Sequence, residues 1–201
     1  MRLFHFDQSN NGQPGAKWQV SSGANPALNP PANGFTIKCM TNENKECCPK
    51  FNPEKWDNKT YTWDNKPFIK ETMPTLFHMP LPSIINKKVT KLYTMMMDSG
   101  KAEANTEDAL LLFRDPSAFK SEIYLSVTGP VPNANNVGLS GTFAAKVFSG
   151  PYHAVPKFMK QMNEYLATQG KKATDYYIHY AYCPTCAEKY GDNYMILFAR
   201  V

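Results

Sequence analysis

The sequence contains no long apolar segment. Its longest near-apolar runs, such as residues 194–199, fall far short of the ~18–20 residues that a membrane-spanning helix requires. Residues 1–20 alternate polar and aromatic side chains and lack the apolar block of a secretory signal. We therefore expect a cytoplasmic protein that has no membrane partner.

Clusters of one charge and extended repeats are absent as well. The 22 Lys and Arg outnumber the 17 Asp and Glu and give a formal net charge of +5, but no run of four basic residues occurs. Pairs such as Lys87-Lys88 are typical of solvated surface, so we expect no nucleic-acid partner. The 13% aromatic content is too high for a disordered protein. A single globular domain with an extension fits 201 residues.

Residues 1–66 have the composition of an irregular N-terminal arm. Asn-Pro steps such as Asn25-Pro26 and Asn52-Pro53 are turn signals, and no regular period of apolar residues is present. Large aromatic residues are nevertheless frequent in this segment, including Trp18 and Trp56, and disordered tails seldom carry them. We expect the arm to pack on its own domain or on a partner protein, with residues 1–40 as the segment that binds an assembly.

Residues 67–201 have a regular pattern that occurs twice. Each half predicts the order strand, helix, strand, strand, with helices over residues 83–98 and 153–168. The first repeat is assigned to residues 67–132 and the second to residues 137–201, an internal duplication. Such units form an α+β domain, with one antiparallel sheet and two helices on one face of it. We expect residues 183–191 to form a loop.

Alternation along residues 122–128 predicts the site. Ile123, Leu125 and Val127 share one face of this strand, while Glu122 and Tyr124 share the other. If the apolar face packs under the helices, the opposite face presents a carboxylate beside a phenol. Partial desolvation would raise the pKa of Glu122, so that it could activate a water molecule as the catalytic group.

The second repeat adds tyrosines to this predicted face. Tyr176 and Tyr180 alternate along one strand and Tyr194 begins the next. Aromatic rings around one carboxylate bind flat or cationic organic molecules. The alternative is that Glu122 is a solvated strand residue and that the tyrosines lie beneath the arm. The predicted ligand-binding residues are Tyr124, Tyr152, Tyr176, Tyr180 and Tyr194.

Four of the five cysteines occur in two short motifs. Cys183-Pro184-Thr185-Cys186 has the C-x-x-C spacing of a metal knuckle, and Cys47-Cys48 adds two more thiols. Together they could hold a structural zinc ion that fastens the arm to the second repeat. A redox pair is disfavoured because the motif does not open a helix in a βαβ unit, and plain buried thiols remain open. No other cofactor is expected.

Several motifs resemble a known family. Gly150-Pro151-Tyr152 before a helix, and Glu122-Ile123-Tyr124 on a strand, resemble the GyrI-like small-molecule-binding domains. Cys47-Cys48-Pro49-Lys50-Phe51 and Cys183-Pro184-Thr185-Cys186-Ala187, the CCPxF and CPxCA motifs, resemble a related bacterial group labelled only "hydrolase". The resemblance covers roughly residues 47–201. It implies a duplicated βαββ fold with a ligand cleft between the repeats, Glu122 as the cleft acid and Tyr124 as its neighbour.

Two functions follow from these expectations. The first is binding of a hydrophobic or cationic small molecule, with hydrolysis of an electrophilic xenobiotic by Glu122 as its catalytic form. The second is a non-catalytic structural subunit of a larger assembly, such as a filament- or microtubule-associated protein, that residues 1–40 anchor.

Overall fold

The computed structural model describes residues 48–201. Residues 1–47, which include Cys47 and most of the predicted arm, lie outside the described residues. The strands are β1 (Lys59–Leu76), β2 (Met79–Pro80), β3 (Leu111–Ser117), β4 (Lys120–Ser126), β5 (Asn136–Ser149), β6 (Asp175–Tyr180) and β7 (Tyr194–Arg200). The helices are α1 (Pro82–Asp98), α2 (Val155–Thr168) and α3 (Pro184–Tyr190). Among the described residues, no helix has the length and apolarity needed to cross a bilayer.

The antiparallel sheet closes on itself. Its strand order is β2-β1-β4-β3-β6-β7-β5, and β1 also pairs with β5, so six of the strands form a barrel. Closure is possible because β1 reaches both neighbours: Phe68 lies opposite Ser126 of β4 and Val137 of β5. The predicted α+β class with an antiparallel sheet is confirmed. The barrel was not predicted, and the duplication of the two halves stays a prediction.

The two long helices pack on the outside of the barrel. Beneath α1, Val89 and Leu92 contact Ile123 and Leu125, the predicted apolar face of β4. Beneath α2, the buried residues Phe158, Met162 and Leu166 pack on the outer face of β5 and β7. The inner face therefore forms a core of its own. This interior contains the buried residues Trp56, Phe68, Leu110, Leu112, Tyr124, Phe143, Ala145, Tyr177, Ile196 and Phe198.

The two halves of the barrel meet along two junctions, a short one between β3 and β6 and a long one between β1 and β5. Strands β3 and β6 share only two residue pairs, Leu112 with His179 and Phe113 with Ile178, whereas β1 and β5 share nine. The Leu111 amide donates instead to Nδ1 of His179, at 3.2 Å. The imidazole thus takes the place of a strand partner for the Leu111 amide.

Residues 48–58 close one part of the barrel, and we call them the N-terminal plug. Trp56 is only 7% exposed and its ring lies 5.9 Å from Phe198 in the interior. Phe51 packs on Tyr194, and the Val147 amide donates to the Asp57 carboxylate at 2.9 Å. The plug is therefore part of the domain core.

Two predicted boundaries are wrong. The predicted irregular arm extends to residue 66, but β1 begins at Lys59. The alternation of this strand is interrupted by a register shift between Trp63 and Lys66, where Asn65 has a left-handed conformation. The loop predicted at residues 183–191 contains α3, which ends at Gly191 with φ 76°. Seven residues are too few for a helical period to be visible in the sequence.

Candidate functional site

Glu122 lies inside the barrel wall and is 2% exposed. Its neighbours on the two adjacent strands are cationic, because Lys70 of β1 and Arg114 of β3 point to the same face as Glu122. Lys70 and Lys120 lie 3.0 and 3.1 Å from Oε1. Arg114 and the hydroxyl of Tyr124 lie 2.9 and 2.6 Å from Oε2. Four donors therefore surround one carboxylate.

This surrounding reverses the predicted pKa shift of Glu122. Burial alone raises the pKa, as the sequence argument assumed. The hydrogen bonds from Tyr124, Lys70, Arg114 and Lys120 outweigh burial and lower the pKa to about 2. The predicted raised pKa is therefore wrong, since cations on neighbouring strands cannot be located from one strand alone. Glu122 is ionised at neutral pH and is a weak proton acceptor.

A second buried tyrosine completes the interior beside Tyr124. The ring of Tyr177 lies 5.6 Å from that of Tyr124 and 5.8 Å from that of Phe143. Arg114 lies over the Tyr177 ring at 5.9 Å. Tyr177 could not be identified from the sequence, because β6 carries tyrosines on both faces and alternation does not say which face turns inward.

The two predicted ligand-binding tyrosines of β6 lie on the face of the strand opposite to Tyr177 and Glu122. Tyr176 and Tyr180 pack on the outer core beneath α2, not beside Glu122. Their predicted placement with Glu122 is thus wrong by one residue of register. The ring of Tyr180 lies 5.3 Å from Phe113 and 5.3 Å from Tyr152. These rings form an aromatic group on the outer surface of the β3–β6 seam.

A cleft of about 280 Å³ opens beside this aromatic group. It lies between β3, β6 and α2, at the shorter of the two junctions between the halves of the barrel. Its lining residues are Phe113, Asp115, Val155, Met159, Ala173, Thr174, Asp175, Tyr176 and Ile178. Glu122 is on the inner side of the same wall and is not part of this lining.

Two carboxylates stand at the cleft. Asp115 lies 3.5 Å from Nδ1 of His78, which is charged only when protonated. Asp175 accepts a 2.6 Å hydrogen bond from Nε of Arg114. Aromatic rings beside carboxylates are the chemistry predicted for the Glu122 face, and the fold places that combination outside the barrel. Such a cleft suits an apolar or positively charged organic group.

The predicted ligand-binding tyrosines therefore occupy three places. Tyr124 lies in the barrel interior, and Tyr152, Tyr176 and Tyr180 lie at or beside the outer cleft. Tyr194 lies under the N-terminal plug, with its ring 5.3 Å from Phe51.

Three of the four predicted metal ligands lie together. The sulfur atoms of Cys48, Cys183 and Cys186 are within 4.8 Å of one another and could bind a metal ion. Cys183 caps the start of α3, so the C-x-x-C motif does begin a helix, but the flanking strands β6 and β7 are antiparallel and do not form a βαβ unit. Cys47 lies outside the described residues.

The protonation of these thiols depends on their neighbours. The pKa of Cys48 is raised by its hydrogen bond with Cys183 and by burial, and burial raises the pKa of Cys186. Clustered thiols therefore keep their protons until a cation replaces them. The Tyr190 hydroxyl donates to the Cys48 carbonyl at 3.1 Å, which holds the beginning of the plug against α3.

Comparisons with known proteins give a family and a fold. The model of a family described as "Bacterial hydrolase" matches residues 38–201. No curated protein matches the chain. Among solved structures, the chain is similar to an uncharacterized conserved protein from Listeria innocua, with 14% identity and a TM-score of 0.50. That match covers 70% of this chain and 90% of the Listeria protein, and it supports the fold alone.

Proposed function

Because the chain belongs to the bacterial hydrolase family, we propose that it binds a hydrophobic or cationic small molecule in the cleft between β3, β6 and α2. The observation that carries the proposal is the pairing of rings and carboxylates around that cleft, Phe113 and Tyr176 with Asp115 and Asp175. The resemblance to GyrI-like domains supports the same place, since it implies a ligand cleft between two repeats.

The size and charge of the cleft define its ligand. A volume of about 280 Å³ lies just below the usual range for small-molecule pockets, so the cleft can enclose one or two rings of a ligand while the rest stays in solvent. A cation between a carboxylate and a ring gains both Coulomb and cation–π attraction, whereas an anion is repelled. Met159 and Ile178 supply the apolar contact.

The proposal is tested with two ions of equal shape and opposite charge. Calorimetric titration should detect binding of tetraphenylphosphonium and little binding of tetraphenylborate. Tyr176→Ala should weaken phosphonium binding about fivefold or more, in line with a lost cation–π contact. Tyr194→Ala, which removes the same residue type beneath the plug, is the matched control and should bind as the native protein does. Equal affinity for both ions, or an unchanged Tyr176→Ala, contradicts the proposal.

Hydrolysis by Glu122 is a separate proposal, because this carboxylate lies on the inner side of the barrel wall and does not line the cleft. A carboxylate with a pKa of about 2 acts through its negative charge rather than as a proton acceptor. The test is release of nitrophenol from a neutral nitrophenyl ester. Turnover that Glu122→Gln abolishes, while circular dichroism shows that the variant is folded, supports a catalytic Glu122; equal turnover by this variant removes it from the reaction.

We also infer that the three clustered cysteines hold a structural zinc ion. Three sulfur atoms from two chain segments match the donor chemistry of structural zinc, and the predicted Cys47 would supply a fourth ligand. Elemental analysis of the purified protein should find one zinc per chain. Cys186→Ser should lose it, whereas Cys39→Ser, outside both motifs, should keep it. A metal-free native protein that does not bind added zinc contradicts this inference.

A further inference from the structure

We propose that Arg114 is a positioning residue that sets the charge of the ligand cleft by dividing its guanidinium between Glu122 and Asp175. This inference rests on the proposed function, because it assigns the control of charge selectivity at that cleft. It concerns a residue on the inner face of the barrel that the cleft itself does not include.

The geometry of the guanidinium is the basis of the proposal. Nε of Arg114 donates to Oδ2 of Asp175 at 2.6 Å, and Nη1 donates to Oε2 of Glu122 at 2.9 Å. Asp175 is also a lining residue of the cleft, with a side chain that is 24% exposed. One cation is therefore shared between Glu122 inside the barrel and the carboxylate of Asp175, a residue that lines the cleft.

The sharing determines how much negative charge a ligand meets. Arginine is always protonated, so its contact with Asp175 neutralises part of that carboxylate at every ordinary pH. Glu122 competes for the same guanidinium, but it has two lysines of its own, Lys70 and Lys120. Glu122 consequently remains compensated if Arg114 is removed, whereas Asp175 loses the partner that neutralises it.

Two substitutions should then have opposite effects on cation binding. Arg114→Gln exposes the full charge of Asp175 and should strengthen tetraphenylphosphonium binding about threefold to tenfold. Glu122→Gln leaves the guanidinium to Asp175 alone and should weaken that binding by a similar factor. Arg114→Lys keeps the positive charge and should bind close to the native affinity. A gain of affinity is the more informative result, because a variant with a damaged fold would lose affinity.

The experiment is calorimetric titration of the full chain with tetraphenylphosphonium and with neutral triphenylphosphine oxide. The proposal expects the changes for the cation only, with the affinity for the oxide unaltered in every variant. Adding Asp175→Asn to Arg114→Gln should remove the gain, as a double-mutant cycle. Circular dichroism confirms that each variant is folded.

The outcomes separate the two proposals. If the native protein binds phosphonium but a folded Arg114→Gln binds it equally or more weakly, the role of Arg114 is overturned and the cleft stands. A gain that persists in the double variant also overturns it, because the effect does not act through Asp175. If neither probe binds the native protein, the cleft proposal fails and this one fails with it.

Discussion

The Tyr124 hydroxyl donates a 2.6 Å hydrogen bond to Oε2 of Glu122, two residues earlier on the same face of β4. The contact follows from strand alternation, which places side chains at i and i+2 beside each other. Burial and the neighbouring Glu122 raise the pKa of Tyr124, so the phenol remains a donor at all moderate pH values. The pair is thus a fixed element of the barrel interior.

Removal of this hydroxyl should destabilise the domain. A hydrogen bond to a charged group contributes about 1.5–3 kcal/mol, so Tyr124→Phe should lower the free energy of unfolding by roughly that amount. Urea denaturation measures the change. The same substitution in a Glu122→Gln background should cost less than half as much, and equal losses in both backgrounds would show that the two residues are not coupled.

Acid should weaken the fold through Glu122. Its pKa falls from the ordinary 4.5 to about 2 in the folded chain, so the ionised form contributes stability above pH 4.5 that is lost as pH falls toward 2. The full contribution is on the order of 3 kcal/mol. Denaturation midpoints from pH 5 to pH 2 should fall steeply in the native protein and less in Glu122→Gln. Parallel curves would contradict this account.

His179 should make the stability of the domain depend on pH in a higher range than Glu122 does. Burial lowers the pKa of His179 from 6.5 to about 4. The unfolded chain therefore binds a proton more readily between these values, and stability should fall as pH drops from 6.5 to 4, by on the order of 3 kcal/mol. His179→Asn keeps an acceptor for the Leu111 amide but does not titrate. The stability of this variant should therefore lack this decrease between pH 6.5 and pH 4.

Gly150 should not tolerate a side chain. It has φ 153°, and a Cβ atom there would lie 2.9 Å from the ring of Phe158. Gly150→Ala should therefore destabilise the domain by about 1–3 kcal/mol through overpacking and backbone strain. Gly170→Ala is the matched control: it has φ 65° but no atom within 4 Å, so it carries only the backbone strain and should cost less.

Metal removal should loosen the plug locally. If the cysteines hold zinc, the ion links Cys48 of the plug to Cys186 of α3. A chelator should then increase hydrogen exchange in residues 48–58 and in α3. Amides of β4, which lie elsewhere in the barrel, should keep their protection. Uniform exchange across the whole domain would indicate global unfolding instead, and no change would indicate that the thiols bind no metal.

The sequence was most informative where one strand face is apolar. Ile123 and Leu125 lie under α1 as predicted, because an amphipathic strand has only one way to bury its apolar side. The two long helices were also located, since their apolar residues recur at helical spacing. The antiparallel α+β class followed from these elements.

Two parts of the site were beyond sequence reasoning for physical reasons. β6 is tyrosine-rich on both faces, so its register was ambiguous and Tyr177 was overlooked in favour of Tyr176 and Tyr180. The cations around Glu122 are residues 70, 114 and 120, and the pairing of β1 and β3 with β4 brings them together. A pKa depends on those three-dimensional neighbours and not on the strand that carries the group.

The nine residue pairs between β1 and β5 have a consequence for any larger complex. β1 and β5 would be edge strands if the sheet were open. In the barrel their backbone amides and carbonyls are hydrogen-bonded to each other. A strand of another protein therefore has no free edge to pair with along that junction. Identical domains likewise cannot associate there through main-chain hydrogen bonds. Any complex that forms across that part of the surface must be recognised by side chains, so its specificity is open to point substitution.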